Sequence, residues 1–362
     1  MAELSILVLV FFAIVINGIE GCKKPVIFAF GDSYLDLGNN NYINTSTQDQ
    51  ANFPPYGETR FGNKPTGRFT DGLTIIDYLG IKGLIPAFLN QTRKIDTNYT
   101  GVSFASAGAG ALTTTLPGFS VNRTQQLNDY VTELENLCKT FGSKEATKIA
   151  SNAVHVITFG ATEVIVYFEL NTPIPNKSEL VKAMIGNLST VVEEIYKQGG
   201  RKFVLLNLLD LGCSPGLKFL NPDKKIGPCL KNASDIVTLY NEAIENKAQE
   251  LGRALPSSKI TIFDLAQSVA SRTAHPKKHN SKNVQNAEVA NEDDACCGYG
   301  KYNGEFSCGG TRPFKKYKVC EKPNEYLFWD SFHLTDRAYE SITNDIWKKS
   351  NSLVRSFFNC FV

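Results

Sequence analysis

Net charge is nearly absent from this sequence: 38 Lys and Arg face 36 Asp and Glu across 362 residues, a formal balance of +2. That balance excludes capture of nucleic acid or another polyanion by bulk electrostatics. Histidine is scarce, at four residues. No internal repeat and no low-complexity linker interrupts the chain, which excludes solenoid architectures. Cys-x2-Cys spacing is missing, and with it the common tetrahedral zinc pattern. The second glycine of Gly-x-Ser-x-Gly is missing from Gly31-Asp32-Ser33-Tyr34-Leu35, so a nucleophilic serine there would not sit on the elbow of an ordinary α/β-hydrolase.

What is present is ordinary globular composition, 42% hydrophobic and 20% charged. Short apolar runs read as buried strands at Val26–Phe30, Ala153–Phe159, Lys202–Leu209 and Lys259–Leu265. Between the second and third, Leu180, Met184, Leu188, Val191 and Ile195 form one face of a helix over Glu179–Gln198. Gly199-Gly200 stops it. After the third strand, Ser234 is placed to cap a helix running to about Leu255. Continuous apolar strands alternating with helices predict a mostly parallel sheet covered on both faces, in an α/β fold. The polar stretch Ser271–Asp294 reads as a surface excursion, so residues 22–362 read as one domain.

The N-terminus differs. Leu4–Ile16 is apolar apart from Ser5, too short for the roughly 20 residues of a bilayer span. Residues 1–21 instead read as a secretory signal peptide, although the preceding stretch holds Glu3 and no Lys or Arg. Asn-x-Ser/Thr sequons at Asn44, Asn90, Asn98, Asn122, Asn176, Asn187 and Asn232 agree with secretion. So do nine cysteines, which read as a few disulfides with at least one thiol left over. The rival for Cys296, Cys297, Cys308 and Cys320 is a zinc site. Otherwise no motif implies a metal or an organic cofactor.

One serine stands out. FAFGDSYLDLGNNN (Phe28–Asn41) runs from an apolar strand straight into Gly31-Asp32-Ser33. A turn is the plain reading, since Gly, Asp, Ser and Asn are turn residues. The sharper reading is a nucleophile on a tight bend, because ligands of parallel α/β sheets bind beyond the carboxyl ends of the strands. A serine needs a base, and the base an orienting acid. His155 lies in an apolar run and reads as a core residue; His275 and His279 lie in a polar, solvated stretch. His333 is left, with Asp330 three residues earlier, on one side of a presumed helical turn.

FAFGDSYLDLGNNN and the C-terminal FWDSFHLT (Phe328–Thr335) together resemble the GDSL esterase/lipase family, the SGNH hydrolases, in its plant secreted branch. Asn52–Gly72, Gly101–Leu112, Leu208–Pro215 and Cys296–Gly310 resemble further blocks of that family, in order. The resemblance implies a three-layer α/β/α hydrolase fold and ester hydrolysis or acyl transfer through an acyl-enzyme. By it, Ser33 is the nucleophile, His333 the base and Asp330 its partner. The N–H groups of Ser33 and Gly108 are oxyanion donors, and the expected substrate is a small-molecule or lipid ester.

The pattern breaks in the third block, where the family has Gly-x-Asn-Asp and this chain has Gly160-Ala161-Thr162-Glu163. Thr162 then takes the place of a third oxyanion donor. Loss of one such donor costs about 3 kcal/mol. Tyr34 replaces a Leu beside the nucleophile and is expected to reshape the pocket mouth; Ser103 and Ala107 are milder departures. Two classes follow: an active secreted ester hydrolase or acyltransferase, or a weakened member that serves as a binding or defence-associated partner of another protein.

Overall fold

The structure, a computed structural model, describes residues 25–79, 84–173, 176–222, 228–274, 291–348 and 353–358. Residues 1–21, where a signal peptide is expected, lie outside them, as do His275, His279, Cys22 and Cys360.

Five parallel strands form the central sheet: β1 (Ile27–Gly31), β2 (Gly101–Ser103), β3 (Val154–Thr158), β4 (Lys202–Leu206) and β5 (Lys259–Phe263). Their order is β2-β1-β3-β4-β5. Every residue of β1 and β3 is buried, as strands covered by helices on both faces must be. Helices Arg123–Phe141, Lys177–Lys197 and Lys231–Ala254 form one packed group, and Asp336–Lys348 packs with Ile75–Leu79, Leu265–Ala274 and Leu353–Phe358 in another. The expected three-layer α/β/α fold is the one found.

Local boundaries moved for identifiable reasons. Lys177–Lys197 starts two residues early because the Asn176 side chain accepts from the Ser178 and Glu179 N–H groups. Lys231–Ala254 begins three residues before Ser234, which caps nothing; its hydroxyl donates to Asp210 at 2.7 Å. β4 ends at Leu206; the next residue, Asn207, still donates its N–H to the Phe263 carbonyl of β5 and its carboxamide to Asp264. β2, three residues long, was not anticipated. Of the stretch Ser271–Asp294, the first residues finish the helix Leu265–Ala274 and the last belong to β6 (Asn291–Ala295), which pairs with β7 (Tyr326–Phe328); residues 275–290 lie outside the described ones.

Among the described residues, three disulfides join Cys213 to Cys229, Cys296 to Cys320 and Cys297 to Cys308. The four cysteines of the zinc alternative are therefore bonded to one another in pairs, and that alternative falls. Cys138 is unpaired among the described residues. None of the described helices is long and apolar enough to cross a membrane.

Candidate active site

Strand order decides where a site can form. The chain leaves β1 for β2 on one side and then β3 on the other, so β1 and β3 flank a topological switch point, where a crevice opens at the carboxyl ends. Ser33 follows β1, Gly108 follows β2, and Thr162 follows β3. All three line one cavity of about 430 Å³, together with His333.

Gly31 allows the bend that presents Ser33. Its φ is +152°, and a Cβ there would lie 2.1 Å from the Thr158 carbonyl oxygen of the adjacent strand. The buried Gln126 carboxamide accepts from Gly31 N–H and donates to Gly31 C=O, both at 2.9 Å, which fixes the strand end. The Asn run that follows has a structural task. Asn39 donates to the Ser103 and Ala105 carbonyls, and Asn40 to that of Ala107. Asp36 accepts from the Gly38, Asn39 and Ala107 N–H groups. These bonds brace the Gly108 loop against the Ser33 turn. Neither the Ser33 nor the Gly108 N–H donates to a protein acceptor among the described residues, and both residues line the cavity.

His333 Nε2 lies 2.7 Å from Ser33 Oγ, and His333 Nδ1 lies 2.8 Å from Asp330 Oδ1. The Asp–His pair is not on a helical turn. It occupies the loop between β7 and Asp336–Lys348, where Asp330 Oδ1 accepts from the Phe332 and His333 N–H groups at 3.0 and 2.9 Å. One carboxylate thus shapes the turn and orients the ring. Burial pushes Asp330 up, but His333, Arg312 and the Phe332 N–H outweigh it and hold the carboxyl below its ordinary range. The His333 ring lies between Phe69 and Tyr34, with centroids 4.8 and 5.3 Å away. Tyr34 is not at the pocket mouth as expected: it is buried, and its hydroxyl donates to the Phe332 carbonyl at 2.8 Å.

Thr162 is buried, and its hydroxyl donates to the Ala109 carbonyl at 3.0 Å. Glu163 accepts from the Leu112 N–H and the Thr115 hydroxyl, tying down the loop beyond Gly108. Ser103 donates to the Leu35 carbonyl. His155 sits in the core beside the Tyr130 hydroxyl, and burial lowers its pKa to about 4.

Two contributors carried no signal that sequence reasoning recognised. Tyr56 donates to Asp330 Oδ2 at 2.7 Å. Arg312 is fully buried, donates to the Cys308 and Gln50 carbonyls, and lies 4.0 Å from the Phe306 ring centroid.

Comparison with known proteins agrees with this architecture. Residues 27–346 match the model of the GDSL-like lipase/acylhydrolase family. GDSL esterase/lipase 5 of Arabidopsis thaliana is 45% identical over 92% of this chain and 86% of its own length. GDSL esterase/lipase 2 of the same plant is 36% identical over 92% and 88%. A GDSL lipase of Tanacetum cinerariifolium is 31% identical over 93% and 87%. With the family's motif blocks set around one cavity in this order, the chain belongs to the GDSL-like lipase/acylhydrolase family.

Proposed function

We propose that the protein is a serine esterase in which Ser33, His333 and Asp330 act as a triad. The observation that carries this reading is the unbroken hydrogen-bonded line from Ser33 Oγ through the imidazole to Asp330, opening on a cavity. Ser33 Oγ attacks the acyl carbon while His333 Nε2 takes its proton. The oxyanion that forms is held by the N–H groups of Ser33 and Gly108. His333 then protonates the leaving alcohol and an acyl-Ser33 ester remains. Water, deprotonated by His333, releases the carboxylic acid; an alcohol in its place gives acyl transfer. Asp330 holds the imidazole in one tautomer and stabilises its cationic form.

Thr162 is a third donor only when its hydroxyl turns from Ala109 to the substrate, since a hydroxyl has a single proton to give. That engagement is the one observation favouring the second reading, a member with reduced turnover that works by binding another protein. Secretion is part of the proposal. It is supported by the three disulfides and by sequon asparagines that are exposed at Asn44, Asn98, Asn122, Asn176 and Asn232.

Turnover of p-nitrophenyl esters of rising chain length, with Ser33→Ala as control, tests the reading. Hydrolysis lost in the variant supports it. Equal hydrolysis by both proteins contradicts it.

A further inference from the structure

We infer that the cavity beside Ser33 selects esters by charge, taking neutral or cationic ones and excluding those that carry a carboxylate, phosphate or sulfate. This rests on the esterase reading only for the orientation of the ester bond; the selection itself is a property of the cavity wall.

The wall is largely apolar, with Ile165, Val166, Phe219, Phe306, Phe314 and Phe332 among its surfaces. Apart from His333, the ionisable side chains that line it are Asp49, Glu169 and Glu305, all acidic. No lysine or arginine lines it among the described residues. An anion entering such a cavity gives up hydration, meets no cationic partner and faces like charge.

The nearby cations do not change the sign. Arg312 is spent on two backbone carbonyls behind Phe306 and does not reach the lining. It is one charge against the three wall carboxylates and Asp330. Lys218, next to Phe219 in sequence, is buried and paired with Asp293 at 2.8 Å. Lys315 is exposed and donates to the Thr311 carbonyl. Burial first, and then the neighbouring Asp49, push Glu169 up to about 7, with Arg312 opposing only in part, so the wall disfavours even its own negative charge.

The test uses Ser33→Ala, so that affinity is read without chemistry. Two p-nitrophenyl esters of equal length are compared at pH 8.5: the monoester of glutaric acid, and the ester of 4-(trimethylammonio)butanoic acid. The cation also presents methyl surface, so the part of the ratio of their dissociation constants that is due to charge is read from its change when wall carboxylates are neutralised. Binding of the cationic ester at least tenfold tighter is expected, and a ratio below tenfold overturns the inference. In Ser33→Ala carrying Glu169→Gln and Glu305→Gln, the ratio narrows threefold or more; a ratio unchanged within threefold removes the assignment to these carboxylates. Turnover of p-nitrophenyl pentanoate by the unmodified protein is measured alongside. Its failure would count against the esterase reading and leave the affinity ratio standing as a separate result.

Discussion

Tyr56 and Asp330, 274 positions apart in sequence, meet in a buried hydrogen bond of 2.7 Å. Asp330 Oδ1 serves the imidazole and the turn, and Oδ2 carries the phenol. The loop Phe53–Gly57 thereby fixes the acid of the proposed triad from behind. Arg312 lies over the Tyr56 ring at 5.3 Å and adds a buried positive charge that favours the ionised carboxylate.

Tyr56→Phe keeps the ring and deletes that bond. A hydrogen bond to a charged group contributes about 1.5–3 kcal/mol, and only part of it is felt in the reaction. Steady-state kinetics should show kcat lower by about tenfold with KM within about twofold. Because Tyr56 positions Asp330 and does not touch substrate, a rise in KM with kcat intact would contradict the role given to it.

Thr162→Asn restores a carboxamide with two N–H donors, enough to serve Ala109 and a developing oxyanion at once. Esterase kcat should rise by roughly tenfold or more. A kcat equal to that of the unsubstituted protein would mean that the two backbone N–H groups already set the rate.

Much of this site was legible in the sequence because its chemistry sits at strand ends. Ser33 follows a recognisable apolar run, and His333 remained once the other three histidines were assigned to core or solvent. The sheet was legible for the same reason, since buried parallel strands are continuous apolar runs. β2 escaped because three residues give no period to read. Tyr56 and Arg312 escaped because loop residues carry no periodic signal, and Gln126 because one buried polar residue on a helix does not reveal its partner; only folding brings them to Asp330 or Gly31. The Asp330–His333 spacing suggested a helical turn, yet a side-chain-closed turn places the same two groups together.

Asp32 gives a pH signature. Burial raises its carboxyl from 3.8 to about 7, the Tyr34 N–H opposes this in part, and Glu163 adds to it. Its Oδ2 is buried without a partner. The folded chain therefore binds the proton more tightly than the unfolded chain, and stability falls as pH rises between about 4 and 7. Thermal denaturation should give a higher Tm at pH 5 than at pH 8. Asp32→Asn should flatten that difference, by up to about 3 kcal/mol in unfolding free energy. The opposite slope for this residue would contradict the burial assigned to it.

A fluorophosphonate probe gives the most direct measurement of the central claim, that His333 activates the Ser33 hydroxyl held 2.7 Å from it. The expected result is one covalent adduct, mapped by peptide mass spectrometry to Ser33, absent in Ser33→Ala and strongly slowed in His333→Ala. Adduct formation at another residue, or none on folded protein, would contradict it.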